Sequence, residues 1–272
     1  MKSEKVITVF DTHAHLDSEE FNEDRELLIS RLLCEHEVAG RRVFVSGVLI
    51  PGTDLLSSYS CVEISLCSSN FYAAVGIHPN SDMGAIDSDW LKIEKLAERD
   101  EVVAIGETGL DRYRNITPME QQVEVFCRHI DLSIRLCKPI LIHCRDAWED
   151  ILPILRKSRG LTGVIHSFNG TSEQAREMID RGFYISFAGQ VTYLNEKFAE
   201  LHEVVKTIPE DRLLIETDSP YLLPHPFRGK LKRNEPSYVI KVAERLSELR
   251  GESLEQISQS TTKNAQNLVK KL

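Results

Sequence analysis

Short apolar runs recur along the chain at residues 6–10, 43–50, 71–77, 102–105, 139–142, 163–165, 183–187 and 212–215. Most are continuously apolar rather than alternating, as expected of parallel strands buried on both faces. Between them the hydrophobic period lengthens to that of a helix. Met119, Val123, Phe126, Ile130 and Ile134 form one apolar stripe, and Val239, Val242, Ala243, Leu246 and Leu249 form another. Thr117-Pro118-Met119-Glu120 reads as a capping box with proline at the first helical position. Thr171-Ser172-Glu173-Gln174 and Ser253-Leu254-Glu255-Gln256 repeat the capping pattern. Helices also fit residues 24–38, 87–98, 146–157 and 196–207.

Eight strands alternating with helices close most simply into a (β/α)8 TIM-type barrel, a single α/β domain over residues 1–272. An open doubly wound sheet is the competitor. It is disfavoured because no glycine-rich phosphate loop follows the first run, and no GxxxxGK[ST] occurs in the sequence.

Composition narrows the function classes. The chain has 42 acidic and 33 basic side chains, a formal net charge of -9. That balance argues against a protein that coats nucleic acid by charge alone. It leaves room for an enzyme whose bound metal ions supply local positive charge. Residues 1–5 lead into an apolar run too short for a secretory signal, and no stretch approaches the roughly 18 apolar residues of a membrane span. The six cysteines form no CxxC pair, so reduced thiols in a cytoplasmic protein are expected. Neither a membrane nor an obligate protein partner is expected.

The chemistry lies in the polar residues that follow the apolar runs. In a barrel, the C-terminal strand ends carry the active site. The first run ends in Asp11-Thr12-His13-Ala14-His15, where a spacing of two sends both imidazoles to one face of a strand. The fourth ends in Gly106-Glu107-Thr108-Gly109-Leu110-Asp111, with Glu107 at the parity of Val103 and Ile105. His143-Cys144-Arg145 ends the fifth, His166-Ser167-Phe168 the sixth, and Glu216-Thr217-Asp218-Ser219-Pro220 the eighth. Four imidazoles and two carboxylates thus gather at one end of five strands. Six nitrogen and oxygen ligands exceed what one four-coordinate catalytic ion needs, so a two-metal site fits better. The absence of thiolates suits zinc, manganese or iron, and magnesium less well. Water activated there attacks an ester phosphorus or a carbonyl carbon, with Asp218 or Glu107 positioned to take the proton.

These blocks, together with Gly76-Ile77-His78-Pro79, Arg228-Gly229-Lys230, Arg233-Asn234-Glu235-Pro236 and Thr261-Thr262-Lys263-Asn264-Ala265, span nearly the whole chain. In their order the sequence resembles the TatD-like metal-dependent deoxyribonucleases, within the amidohydrolase-like barrels. The resemblance implies a (β/α)8 barrel that hydrolyses DNA phosphodiester bonds from a 3′ end with two divalent ions (Mg, Mn or Zn). It implies that His13 and His15 hold one metal, Glu107 bridges, and His143 and His166 hold the second. Asp218 would complete the first site and serve as base. Two blocks depart from the family, with Arg112-Tyr113-Arg114 after Asp111 and Asn169-Gly170 after Phe168. Both departures bear on substrate preference rather than on the ligands.

Further residues are candidates for substrate contact. His78 is placed to meet a phosphate or leaving-group oxygen, or to make second-layer hydrogen bonds. Arg145 shares parity with His143 and reaches a phosphate or a ligand carboxylate. Arg228, Lys230, Lys232 and Arg233 make the loop 225–234 the best candidate for gripping a phosphate backbone. Asp11 is expected to orient a ligand, Glu216 to support the site from below, and Cys144 to be a small buried hydrophobe. Two other functions compete. One is an amidohydrolase-type enzyme for a small cyclic amide or ester, in which a modified lysine commonly stands where Glu107 does. The other is a non-catalytic metal-binding scaffold, which has no need of all six ligands.

Overall fold

The computed structural model describes residues 5–81, 86–114 and 116–270. Eight parallel strands follow one another around a nearly closed barrel: β1 (Ile7–Asp11), β3 (Arg41–Pro51), β4 (Phe71–Val75), β5 (Val102–Asp111), β6 (Ile140–Arg145), β7 (Gly163–Ile165), β8 (Tyr184–Phe187) and β9 (Leu213–Ile215). Helices α1 (Arg25–Leu32), α2 (Leu55–Ser65), α3 (Ile86–Ala97), α4 (Met119–Leu136), α5 (Trp148–Lys157), α6 (Ser172–Asp180), α7 (Ala199–Thr207) and α8 (Val239–Arg250) form the outer layer. The expected (β/α)8 barrel is therefore the fold.

Several expected elements differ. The helix expected over 24–38 stops at Leu32, because the chain turns into a short strand, β2 (His36–Val38), antiparallel to β3. The turn between them is Ala39-Gly40, both at positive φ, the backbone that suits a two-residue hairpin. Helix α2 escapes the periodicity because its serines, Ser57, Ser58, Ser60 and Ser65, blur the apolar stripe. Its start is nonetheless marked by Asp54, which accepts the Ser57 N–H at 2.8 Å. The box expected at residues 117–120 does not form: α4 starts at Met119 without a side-chain cap, and Ile134 on its stripe is 37% exposed. The boxes at Thr171/Gln174 and Ser253/Gln256 are both made.

The barrel interior is filled by Phe10, Leu49, Ala74, Val103, Ala104, Leu141, Val164 and Leu214, about one residue from each strand. Below them stands α9 (Leu254–Leu268), whose end residues Ala265, Leu268 and Val269 join the same cluster and plug the base. The larger apolar cluster lies between strands and helices. The seam between β1 and β9 carries no regular ladder. It is closed above by Thr12 N–H to the Ile215 carbonyl, Asp218 N–H to the His13 carbonyl and His15 N–H to the Ser219 carbonyl. Below, Asn264 on α9 donates to the carbonyls of Glu210 and Leu213 at 2.8 and 2.9 Å.

Asn264→Ala withdraws both donors from a buried position, so chemical denaturation should show a loss of about 1–3 kcal/mol. A midpoint equal to that of wild type would remove Asn264 from the closure of the base.

Candidate metal centre

Two residues above the apolar layer, the interior changes character. Leu141 is followed at the same parity by His143 and Arg145, Val164 by His166, and Leu214 by Glu216 and Asp218. Alternation within the strand places His143, whereas His166 lies one residue beyond β7, and Asp218 stands three residues beyond β9 at a positive φ of 54°. His13 and His15 differ from expectation. β1 ends at Asp11, so both imidazoles stand on the seam-closing segment beyond the strand. They converge all the same, with Nε2 atoms 3.3 Å apart.

Glu107 also arrives by another route than parity. Ile105 packs outward in the strand–helix cluster, so alternation from it would send Glu107 out. Between Ile105 and Thr108, however, β5 advances three residues while β6 advances two, from Ile140 to Ile142. This bulge returns Glu107 to the inside. The glycines on either side permit it. A Cβ on Gly109, at φ +145°, would stand 1.9 Å from the His143 carbonyl oxygen, and one on Gly106, at φ +127°, 2.7 Å from that of Leu141.

The buried Glu107 carboxylate is the centre of the cluster. Its Oε2 lies 3.2 Å from His13 Nε2 and 3.5 Å from His15 Nε2. Its Oε1 lies 2.9 Å from His143 Nδ1, 2.9 Å from His166 Nε2 and 3.4 Å from His78 Nε2. Asp218 Oδ1 stands 3.4 Å from His15 Nε2 and 3.8 Å from His13 Nε2. All six sequence-derived ligand candidates therefore meet, and His78 joins them. Ligand atoms close enough to share an ion recur in three overlapping groups: His13 with His15 and Glu107, His13 with His166 and Asp218, and His78 with Glu107 and His143.

Electrostatics follow from this crowding. Burial by itself would push the Glu107 carboxyl up, but the imidazoles of His166, His78 and His13 hold it well below the usual carboxylate range. His15 shows the reverse balance: burial disfavours its charge, yet Asp218 and Glu107 raise it to about 9. The nitrogen–oxygen donor set, free of thiolate, fits a divalent cation in place of these protons.

A second layer fixes the rings. His166 Nδ1 faces Glu216 Oε1 at 3.1 Å, and the Ser167 N–H reaches the same oxygen at 2.7 Å. Asp111 Oδ2 faces His143 Nε2 at 3.1 Å and also accepts from Asn80 Nδ2 at 2.8 Å. A carboxylate behind the imidazole fixes which nitrogen is free to bind. Asp11 acts on the backbone: it accepts the N–H groups of His13 and Thr217 and bonds the Thr217 hydroxyl. Cys144 is buried, with its thiol pushed up by burial to about 12.

The expected substrate-contact residues are dispersed. Arg145 lies over the Tyr113 ring at 3.7 Å, and Arg228 over Tyr193 at 3.9 Å. Lys230 and Lys232 are exposed on their loop. Arg233 is committed to Asp24 and Glu235 and covers Phe21, so it braces the loop. Asp111 ends the block Gly106–Asp111, but its supporting role is not legible in the sequence because the bulge before Thr108 hides its direction. Sequence reasoning also missed His129 on α4. This buried ring donates from Nδ1 to the Val125 carbonyl at 2.7 Å and accepts the Ile77 N–H at 3.0 Å, bracing the segment that carries His78.

A family model described as TatD related DNase matches residues 10–270. The chain belongs to the TatD-related DNase family. It is 43% identical over 262 residues to YabD of Bacillus subtilis (strain 168), named an uncharacterized metal-dependent hydrolase, covering 96% of this chain and 98% of that one. It is 35% identical over 266 residues to the 3'-5' ssDNA/RNA exonuclease TatD of Escherichia fergusonii, with the same coverage of 96% and 98%. Among solved structures it resembles the TatD homolog YJJV of Escherichia coli K12, with a TM-score of 0.85 and 27% identity over 96% of this chain and 97% of that one. The TatD-family chain is thus a metal-dependent hydrolase. Among its described residues, no helix is long and apolar enough to cross a membrane.

Burial pushes His129 down to about 4. An unfolded chain takes up that proton near pH 6.5, so stability is fully present above pH 6.5 and declines as pH falls toward 4. Replacing His129 with Gln should flatten the decline by up to about 1.4 kcal/mol per pH unit. Urea unfolding of both proteins across this window is the check, and parallel curves would contradict the assignment.

Proposed function

We propose that this chain is a two-metal phosphodiesterase that shortens single-stranded DNA from its 3′ end. The observation that carries the reading is the Glu107 carboxylate, whose two oxygens face two separate imidazole pairs, as a bridging ligand requires. His13, His15, Asp218 and Glu107 would hold one divalent ion, and Glu107, His143 and His166 the other. The choice of substrate is supported by the exonuclease name of the Escherichia fergusonii relative. When bound, such ions supply Lewis-acid stabilisation of the phosphate and acidify the attacking water.

The chain's own groups have distinct tasks in this reading. Burial would raise the Asp218 carboxyl, but His15, His166 and His13 keep it below its ordinary range, so it is ionised and ready to accept the water's proton. Its side chain remains 16% exposed, at the mouth where a substrate enters. His78 Nδ1 accepts the Asn80 N–H at 3.0 Å, so in the neutral ring the proton sits on Nε2. His78 therefore donates toward Glu107 and an incoming phosphate rather than binding metal. As the water oxygen bonds to phosphorus, the bond to the 3′ oxygen of the preceding nucleotide breaks, and that oxygen takes up a proton from solvent to leave as the 3′ hydroxyl. Arg228, Lys230 and Lys232 would steady the strand.

A 5′-labelled single-stranded oligonucleotide, incubated with Mg2+ or Mn2+, should give a ladder shortened from the 3′ end. Chelator should abolish it, and Asp218→Asn should lower turnover by about a hundredfold or more. An Asp218→Asn rate within a few-fold of wild type would sink the role of that carboxylate. An intact oligonucleotide in the presence of metal-loaded protein would overturn the nuclease reading in favour of small esters or amides.

A further inference from the structure

Large apolar side chains left in solvent are individually ordinary, but the aromatic ones here are unevenly placed. Among the described residues the exposed aromatic rings are Tyr59, Tyr113 and Tyr221, and two of these stand at the barrel mouth. Tyr221, 50% exposed, meets the His15 ring edge-to-face at 6.1 Å, and its N–H is fixed on the Asp218 carbonyl. Tyr113, 63% exposed, follows Asp111, the carboxylate behind His143. The Arg145 guanidinium covers one face of Tyr113 at 3.7 Å, which leaves the opposite face to solvent. His15 approaches one oxygen of Glu107 and His143 the other. Tyr221 therefore stands beside the His15 end of the cluster, and Tyr113 follows the carboxylate behind its His143 end.

Neither ring fills the core, and neither belongs to the proton or ligand chemistry. Flat, solvent-facing π surfaces beside a phosphate-binding centre suit unpaired nucleobases, which stack on tyrosine and on arginine planes irrespective of sequence. We propose that Tyr221 at the His15 end, and Tyr113 backed by Arg145 at the His143 end, form a base-stacking subsite that receives the unpaired bases flanking the scissile phosphate. The inference rests on the phosphodiesterase reading and adds to it the device that selects single strands. Paired bases in a duplex turn no free face to such rings.

Two 5′-labelled single strands of equal length and identical phosphates test it, one ending in thymidines and one with abasic tetrahydrofuran residues at its last two positions. Metal-loaded wild type should bind and shorten the base-bearing strand about tenfold better. In Tyr221→Leu and Tyr113→Leu that ratio should fall toward one, whereas Tyr221→Phe, which keeps a ring, should preserve it. A wild-type ratio near one, or a ratio unchanged in both leucine variants, would overturn the subsite. Binding is followed by fluorescence anisotropy as well as by cleavage. If neither strand is shortened the hydrolytic reading fails, and the anisotropy ratio still decides whether the rings recognise bases.

Discussion

A carboxylate buried inside a barrel must be compensated, and Glu107 sets the terms for everything above the apolar layer. Removing an ionised group from water costs several kcal/mol unless opposite charge and hydrogen bonds replace the solvent. Here the compensation comes from imidazoles on four separate segments: His13 and His15 on one, and His78, His143 and His166 on the others. Each ring is itself poorly solvated, so His166 needs Glu216 and His143 needs Asp111. The second layer is therefore a consequence of the first. Cations and protons compete for the same lone pairs, which couples metal occupancy to protonation at this centre.

The same segments that hold the ligands also complete the barrel. β9 has three residues, and no regular ladder joins it to β1. Closure at the upper end is left to His13, His15, Asp218 and Ser219, through backbone hydrogen bonds that need no particular side chain. A shift of one residue along this seam would separate Asp218 from His15, so the backbone register and the ligand geometry are one constraint. At the base, α9 closes the same seam with Asn264 while its apolar end fills the interior. This explains why a polar residue near the C-terminal end of the chain stands among buried neighbours.

The barrel was legible because its strands are continuous apolar runs, and the polar cluster was legible because polar residues interrupt those runs at one end. His143 follows simple alternation from Leu141, while His166 and Asp218 keep the parity of Val164 and Leu214 although both stand beyond their strands. Glu107 was placed correctly for the wrong reason: the bulge after Ile105 inverts the parity that the sequence suggests. Helix α2 stayed hidden behind its serines, and the short strand β2 was absorbed into the end of an overlong helix. The fates of Arg233 and Arg145 could not be read from the chain. Their partners, Asp24 and Tyr113, are set by tertiary contacts between distant loops and strand ends.

Charge gives the remaining argument about how such a site meets a nucleic acid. At a net charge of -9 the whole molecule repels a polyanion at long range. Several arginines near the upper face are already neutralised, Arg112 by Asp150 and Arg233 by Asp24. A long electrostatic groove is therefore not what this surface offers. On the proposed reading, engagement would be short and local, at a strand end, where divalent ions, Arg228 and the lysines of its loop would meet only a few phosphates. With so few charges to release counterions, affinity has to come from contacts that salt does not screen. The proposed stacking on Tyr113 and Tyr221 would be of that kind, and it would match an acidic protein to a single-stranded end better than to a duplex.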